Sequence, residues 1–143
     1  MGQARSRSSA GQRYQSPRGI QELLLTALVL AVLVPFLGKA FHIDDPLFVW
    51  CARHLQSHPF DFYGFDVNWD GSLTPMPQVT QNPPLAAYYL AVVGATLGWS
   101  ETALHAGFLV PAVAFVLGTY RLSRSFCSHA GWAGLATATA PVF

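Results

Sequence analysis

Long apolar runs, separated by one polar stretch, set the pattern of the chain. Residues 20–38 (IQELLLTALVLAVLVPFLG) have a centre free of charge. Their nineteen residues give about 28 Å as a helix at ~1.5 Å per residue, close to the hydrocarbon thickness of a bilayer. Residues 102–120 (TALHAGFLVPAVAFVLGTY) are equally long. Two shorter runs complete the set. Residues 85–98 (LAAYYLAVVGATLG) reach only about 21 Å as a helix, short for a span, and residues 132–143 (WAGLATATAPVF) are shorter still. The pattern predicts an all-α, polytopic integral membrane helical bundle. It has complete spans at about 20–38 and 102–120, a truncated span at 132–143 and an outer loop over 39–101. A cleaved signal peptide is the rival reading of the first run, with Gly38 and Ala40 around the cut. That run is longer than the usual apolar core of such peptides and Lys39 interrupts the cut, so an uncleaved span is favoured.

Inside the outer loop, Asp45-Pro46 marks a helix start, a carboxylate able to cap free N–H groups beside a proline suited to the first turn. The following LFVWCARHLQSH puts Leu47, Trp50, Cys51 and Leu55 on one face and Arg53, His54 and Gln56 elsewhere, as in an amphipathic helix lying on the membrane surface. The next stretch is dense in Gly, Pro and Asp and reads as a loop. Its rings (Phe60, Phe62, Tyr63, Phe65 and Trp69) suit the headgroup level.

Charge fixes the expected orientation. Arg5, Arg7, Arg13 and Arg18 crowd the first stretch, whereas five of the seven acids (Asp44, Asp45, Asp61, Asp66 and Asp70) lie in the outer loop. Arg121 and Arg124 directly follow the second long run. Lys and Arg near span ends stay on the cytoplasmic side. Both basic clusters meet that rule only if 85–98 does not cross, so it is expected as a partly embedded or re-entrant helix on the outer face. The N-terminus is then expected to be cytoplasmic, with residues 1–19 a basic, disordered tail, and the expected setting is a bacterial inner (plasma) membrane. A myristoylation pattern at the start (MGQARS) is loose, and the first span already anchors the chain. Nucleic-acid binding is not expected, because the arginines lie in a Ser/Gly/Gln-rich tail with no folded face. Cys51 and Cys127 fall on opposite sides of the bilayer in this topology and should not pair.

Several groups carry candidate chemistry. Asp44-Asp45, two carboxylates just past a span, suit a general base at a membrane interface; the plainer reading is a helix cap with a solvated neighbour. Asn82-Pro83-Pro84 is an ordinary helix-start signal that also aims an amide at the membrane surface. Asp66-Val-Asn68-Trp-Asp70-Gly71 matches the first half of a calcium loop, but Pro77 stands where the bidentate acid belongs, so a polar turn is favoured. His54 and His58, four apart, with His42 near the aspartates, lack evident third and fourth metal ligands. His105 within the second span is expected to face protein or a polar cavity rather than lipid.

Taken in order, these features resemble the N-terminal part of C-type glycosyltransferases that use polyprenyl-phosphate sugars. The features are the basic tail, the first span, an acidic pair before an amphipathic helix, Asn82-Pro83-Pro84-Leu85 before a short apolar helix, and a long span closed by Arg121-x-x-Arg124. The family 39 group, with its protein O-mannosyltransferases, is most similar, and the bacterial lipid A aminoarabinose transferases are similar too. The resemblance covers roughly residues 20–143. It implies inverting transfer of a sugar from a lipid-linked phosphate to a protein, lipid or glycan acceptor on the outer face. Asp44 is the matching acid, as base or acceptor-orienting group, and Asp45 stands where the family often has Glu. Asn82, Pro83 and Pro84 match a motif near the donor phosphate. The aminoarabinose transferases carry a Lys before that proline and an Arg three residues after the first acid; here Asn82 and Leu47 occupy those places. The phosphate would then need another cation, such as Arg53 or one beyond Phe143, where the second acidic loop is also expected. A divalent metal serves some of these relatives and not others, and no residue here is assigned to one. A second reading, from a different class, is a non-catalytic membrane anchor or interaction protein with an acidic outer loop.

Overall fold

The computed structural model describes residues 18–140 of the chain. The tail arginines Arg5, Arg7 and Arg13, the expected disorder before Arg18 and the last three positions lie outside the described residues. Six α-helices and one two-stranded hairpin make up the described part, which is mostly helical.

Helix α1 (Arg18–Leu33) runs into a 3₁₀ turn at Val34–Phe36, where Pro35 has no N–H to continue the α pattern. Helix α2 spans Asp45–Leu55, as the Asp-Pro signal predicts. Strands β1 (Asp66–Asn68) and β2 (Leu73–Pro75) pair antiparallel, with Val67 opposite Thr74, around a turn where Gly71 adopts φ +88°. A single helical turn, α3 (Met76–Val79), leads to α4 (Leu85–Leu97), α5 (Glu101–Ser123) and α6 (Ala130–Ala138). Ser100 caps α5, its Oγ accepting from the Ala103 N–H at 3.2 Å.

Two helices, Arg18–Phe36 and Glu101–Ser123, are long and apolar enough to cross a membrane, whereas Leu85–Leu97 is shorter. The two long helices run antiparallel. At one end Tyr120 donates its hydroxyl to Gln21 Oε1 at 2.6 Å, and Arg121 binds both oxygens of Glu22 at 3.0 and 3.1 Å. At the other end His105 Nδ1 meets the Leu37 carbonyl at 3.1 Å, and the Phe41 N–H donates to Glu101 Oε1 at 3.2 Å. Between these ends Leu25 and Val29 of α1 pack with Ala112, Val116 and Tyr120 of α5 and with Ala130 and Ala138 of α6.

A second core lies beyond the Leu37 end. Leu47, Cys51 and Leu55 of α2 meet Ala87, Leu90 and Val93 of α4, Leu104 of α5, and Val67 and Met76 of the hairpin segment. The sequence reading therefore needs correction at α2. Its apolar face is taken by protein rather than offered to a membrane surface, and Val49 and Ala52 are buried while Trp50 is 37 % exposed. The buried arc turns away from Trp50 because the helix is covered by α4 and the hairpin segment together. The stretch read only as a loop also contains the hairpin and α3, whose short elements leave no alternation long enough to register as a strand.

Candidate functional site

A cleft of about 580 Å³ opens where the end of α1, the start of α2, α4 and the first turns of α5 meet. This size falls in the range of small-molecule sites. Leu33, Phe36, Phe48, Leu90, Phe108 and Leu109 give it apolar walls, and its polar members are Lys39, Asp45 and His105.

Each polar group is positioned by local structure. Asp45 opens α2, and its Oδ2 reaches back to accept the His42 N–H at 2.6 Å, closing the turn that brings the chain from α1 into α2. A carboxylate in the first turn is favoured by the free peptide N–H groups there. Lys39 follows the 3₁₀ turn, held by its own N–H on the Phe36 carbonyl at 3.0 Å, and its ammonium has no hydrogen-bond or ion-pair partner among the described residues. His105 must carry its proton on Nδ1, since the Leu37 carbonyl can only accept. Phe41 packs edge-on against its ring at 5.8 Å.

The other residues singled out by sequence are distributed differently. Asp44 is exposed, makes no side-chain cap, and is not among the cleft-lining residues. Asn82, Pro83 and Pro84 border a void of only about 10 Å³ with Leu47, Cys51 and Tyr63. Tyr63 donates its hydroxyl to the Asn82 carbonyl, fixing the bend into α4, and burial together with the neighbouring Cys51 pushes the Tyr63 phenol above its ordinary range. Arg53 lies over the Trp99 ring at 4.9 Å and lines a separate groove. The structure thus brings Asp45 into the cleft and leaves Arg53 and Asn82-Pro83-Pro84 elsewhere. The sequence reading missed Lys39 as a cleft cation, having met it only as an interruption at a signal-peptide cut. His105, flagged there as a polar group inside an apolar run, carried the better signal.

His54 and His58 stack at 4.5 Å, with Asp61 Oδ2 4.0 Å from His54 Nε2. No group of three or more His, Cys, Asp or Glu side chains fit to hold a metal occurs among the described residues. Asp66, Asn68 and Asp70 belong to the hairpin and its turn. Cys51 is buried and Cys127 exposed, both free.

Comparison of the chain with protein-family models, with curated proteins and with solved structures finds no match.

Proposed function

We propose that these residues belong to a polytopic membrane glycosyltransferase that moves a sugar from a polyprenyl-phosphate donor to an acceptor at the outer face. The observation carrying this reading is the cleft: an apolar slot between two span-length helices with one cation and one carboxylate among its lining residues. Such a slot suits a donor whose isoprenoid must stay among apolar groups while its phosphate and sugar meet charge. The membrane setting is supported by the surfaces of α1 and α5. Leu23, Leu24, Val110 and Phe115 are among many large apolar side chains left exposed, unlike those of a soluble core helix.

In this reading the acceptor oxygen attacks the anomeric carbon from the face opposite the phosphate. The new C–O bond forms as the bond to the phosphate oxygen breaks, and the polyprenyl phosphate leaves with the electron pair. Asp45 takes the acceptor proton, the Lys39 ammonium offsets the charge gathering on the departing phosphate, and the apolar walls exclude water from the anomeric carbon. The resemblance assigns the acid to Asp44; the cleft geometry favours its neighbour. With α1 entering from the cytoplasm, Arg18, Arg121 and Arg124 lie on the inner side and Asp45 on the outer.

The test is turnover of the whole protein in proteoliposomes with a panel of polyprenyl-phosphate sugars. Asp45→Asn should lower kcat by about 10²–10⁴-fold, the usual span for loss of a general base, and Asp44→Asn should lower it far less. Wild-type turnover by Asp45→Asn would defeat the assignment of the base. Absence of transfer with every donor would favour the anchor reading.

A further inference from the structure

A second concavity lies on the other side of α2. It has a volume of about 430 Å³ and is lined by Trp50, Arg53, Phe65, Asp66, Val67 and Asn68, none of which borders the Asp45 cleft. Helical spacing puts Trp50 and Arg53 one turn apart on one side of α2. Strand alternation does the rest: Val67 is buried, so Asp66 and Asn68 share the exposed face of β1.

We propose that this groove binds a neutral glycan, one sugar ring lying against Trp50. The groove is complementary to such a ligand in three ways. Trp50 is 37 % exposed and steadied edge-on by Trp69 at 6.1 Å, so it offers a flat apolar face in a fixed place. Arg53 is steadied over Trp99, yet the side-chain hydrogen-bonding groups of Arg53, Asp66 and Asn68 make no hydrogen bond or ion pair among the described residues. They present a guanidinium fork, an acceptor-only carboxylate and a mixed amide, the set that pairs with hydroxyls, which both donate and accept. One cation and one carboxylate leave the groove without net charge, which disfavours an anionic lipid headgroup as occupant. Binding in this groove does not depend on whether the cleft transfers sugar.

The whole protein in nanodiscs is screened on an array of neutral and acidic glycans, and the best neutral ligand is titrated by tryptophan fluorescence. Saturable binding should weaken at least tenfold in Trp50→Ala and in the Asp66→Asn/Asn68→Ala pair, and be unchanged in Asp45→Asn, which disables the cleft alone. Continued burial of Cys51 against a maleimide confirms that each variant is folded. The proposal is overturned if no glycan binds, if folded Trp50→Ala binds as tightly as wild type, or if only acidic glycans or anionic vesicles are retained.

Discussion

Cys51 shows how one side chain reports on the packing around it. Only 3 % exposed between α2 and the Tyr63–Pro84 segment, its thiol is pushed from an ordinary 9.0 up to about 11 by burial. Thiolate is the reactive form. At neutral pH a maleimide should therefore modify exposed Cys127 and spare Cys51, with Cys51 alkylation rising only as pH climbs towards 11; equal rates at pH 7.5, read by intact mass, would contradict the packing. The sign for stability follows from the raised value. The unfolded chain loses this proton near 9 and the folded chain near 11, so the contribution is complete below pH 9 and is lost as pH rises through 11. Thermal melts of wild type and Cys51→Ala should accordingly converge over that interval. Little of this could be read from the sequence. Cys51 was placed on the apolar face, but its burial depends on Tyr63 and Asn82-Pro83-Pro84, whose approach is a tertiary fact.

Glycines set how closely α4 and α5 approach. A methyl at Gly107 would meet Val93 Cγ1 at 2.6 Å, and one at Gly94 would meet the Trp99 ring at 2.5 Å. Tyr89 uses the same closeness to donate to the Gly107 carbonyl at 2.6 Å. Gly107→Ala should cost about 1–3 kcal/mol, the usual range for overpacking a filled core. Gly118→Ala, on the same helix but with open space around it, should cost almost nothing. Denaturation in one detergent decides between them, and equal stability of the two variants would rule out the close crossing. At this scale the sequence was informative where local rules govern. Asp45-Pro46 opens α2 at the expected residue, and the prolines before Leu85 delimit α4. It failed where partners decide, because Val49 and Ala52 are buried only once the hairpin segment and α4 have both covered α2.

At the scale of the whole molecule, the pairing of helix ends constrains any membrane topology. Glu22 with Arg121 and Gln21 with Tyr120 bring the start of α1 and the end of α5 together, while Leu37 with His105 joins their opposite ends. Whatever side Arg18 occupies, Arg121 shares it, and the segment from Phe41 to Ser100 must leave and return at the other end. A helix of thirteen residues enclosed in that segment has no need to cross, which is the geometric counterpart of the charge argument for residues 85–98. The cleft depends on this arrangement, since its walls come from α1 and α5 at the Leu37 end and its Asp45 from the segment between them. The consequence can be measured with two cysteines in one protein. With Cys51 changed to alanine, Ser72→Cys in the exposed hairpin turn should react with an impermeant maleimide on intact spheroplasts, and native Cys127 should react only after lysis. Labelling of both in intact spheroplasts would contradict their separation by a bilayer. The reverse order would keep the helix pairing but invert it, moving Asp45 to the cytoplasmic side.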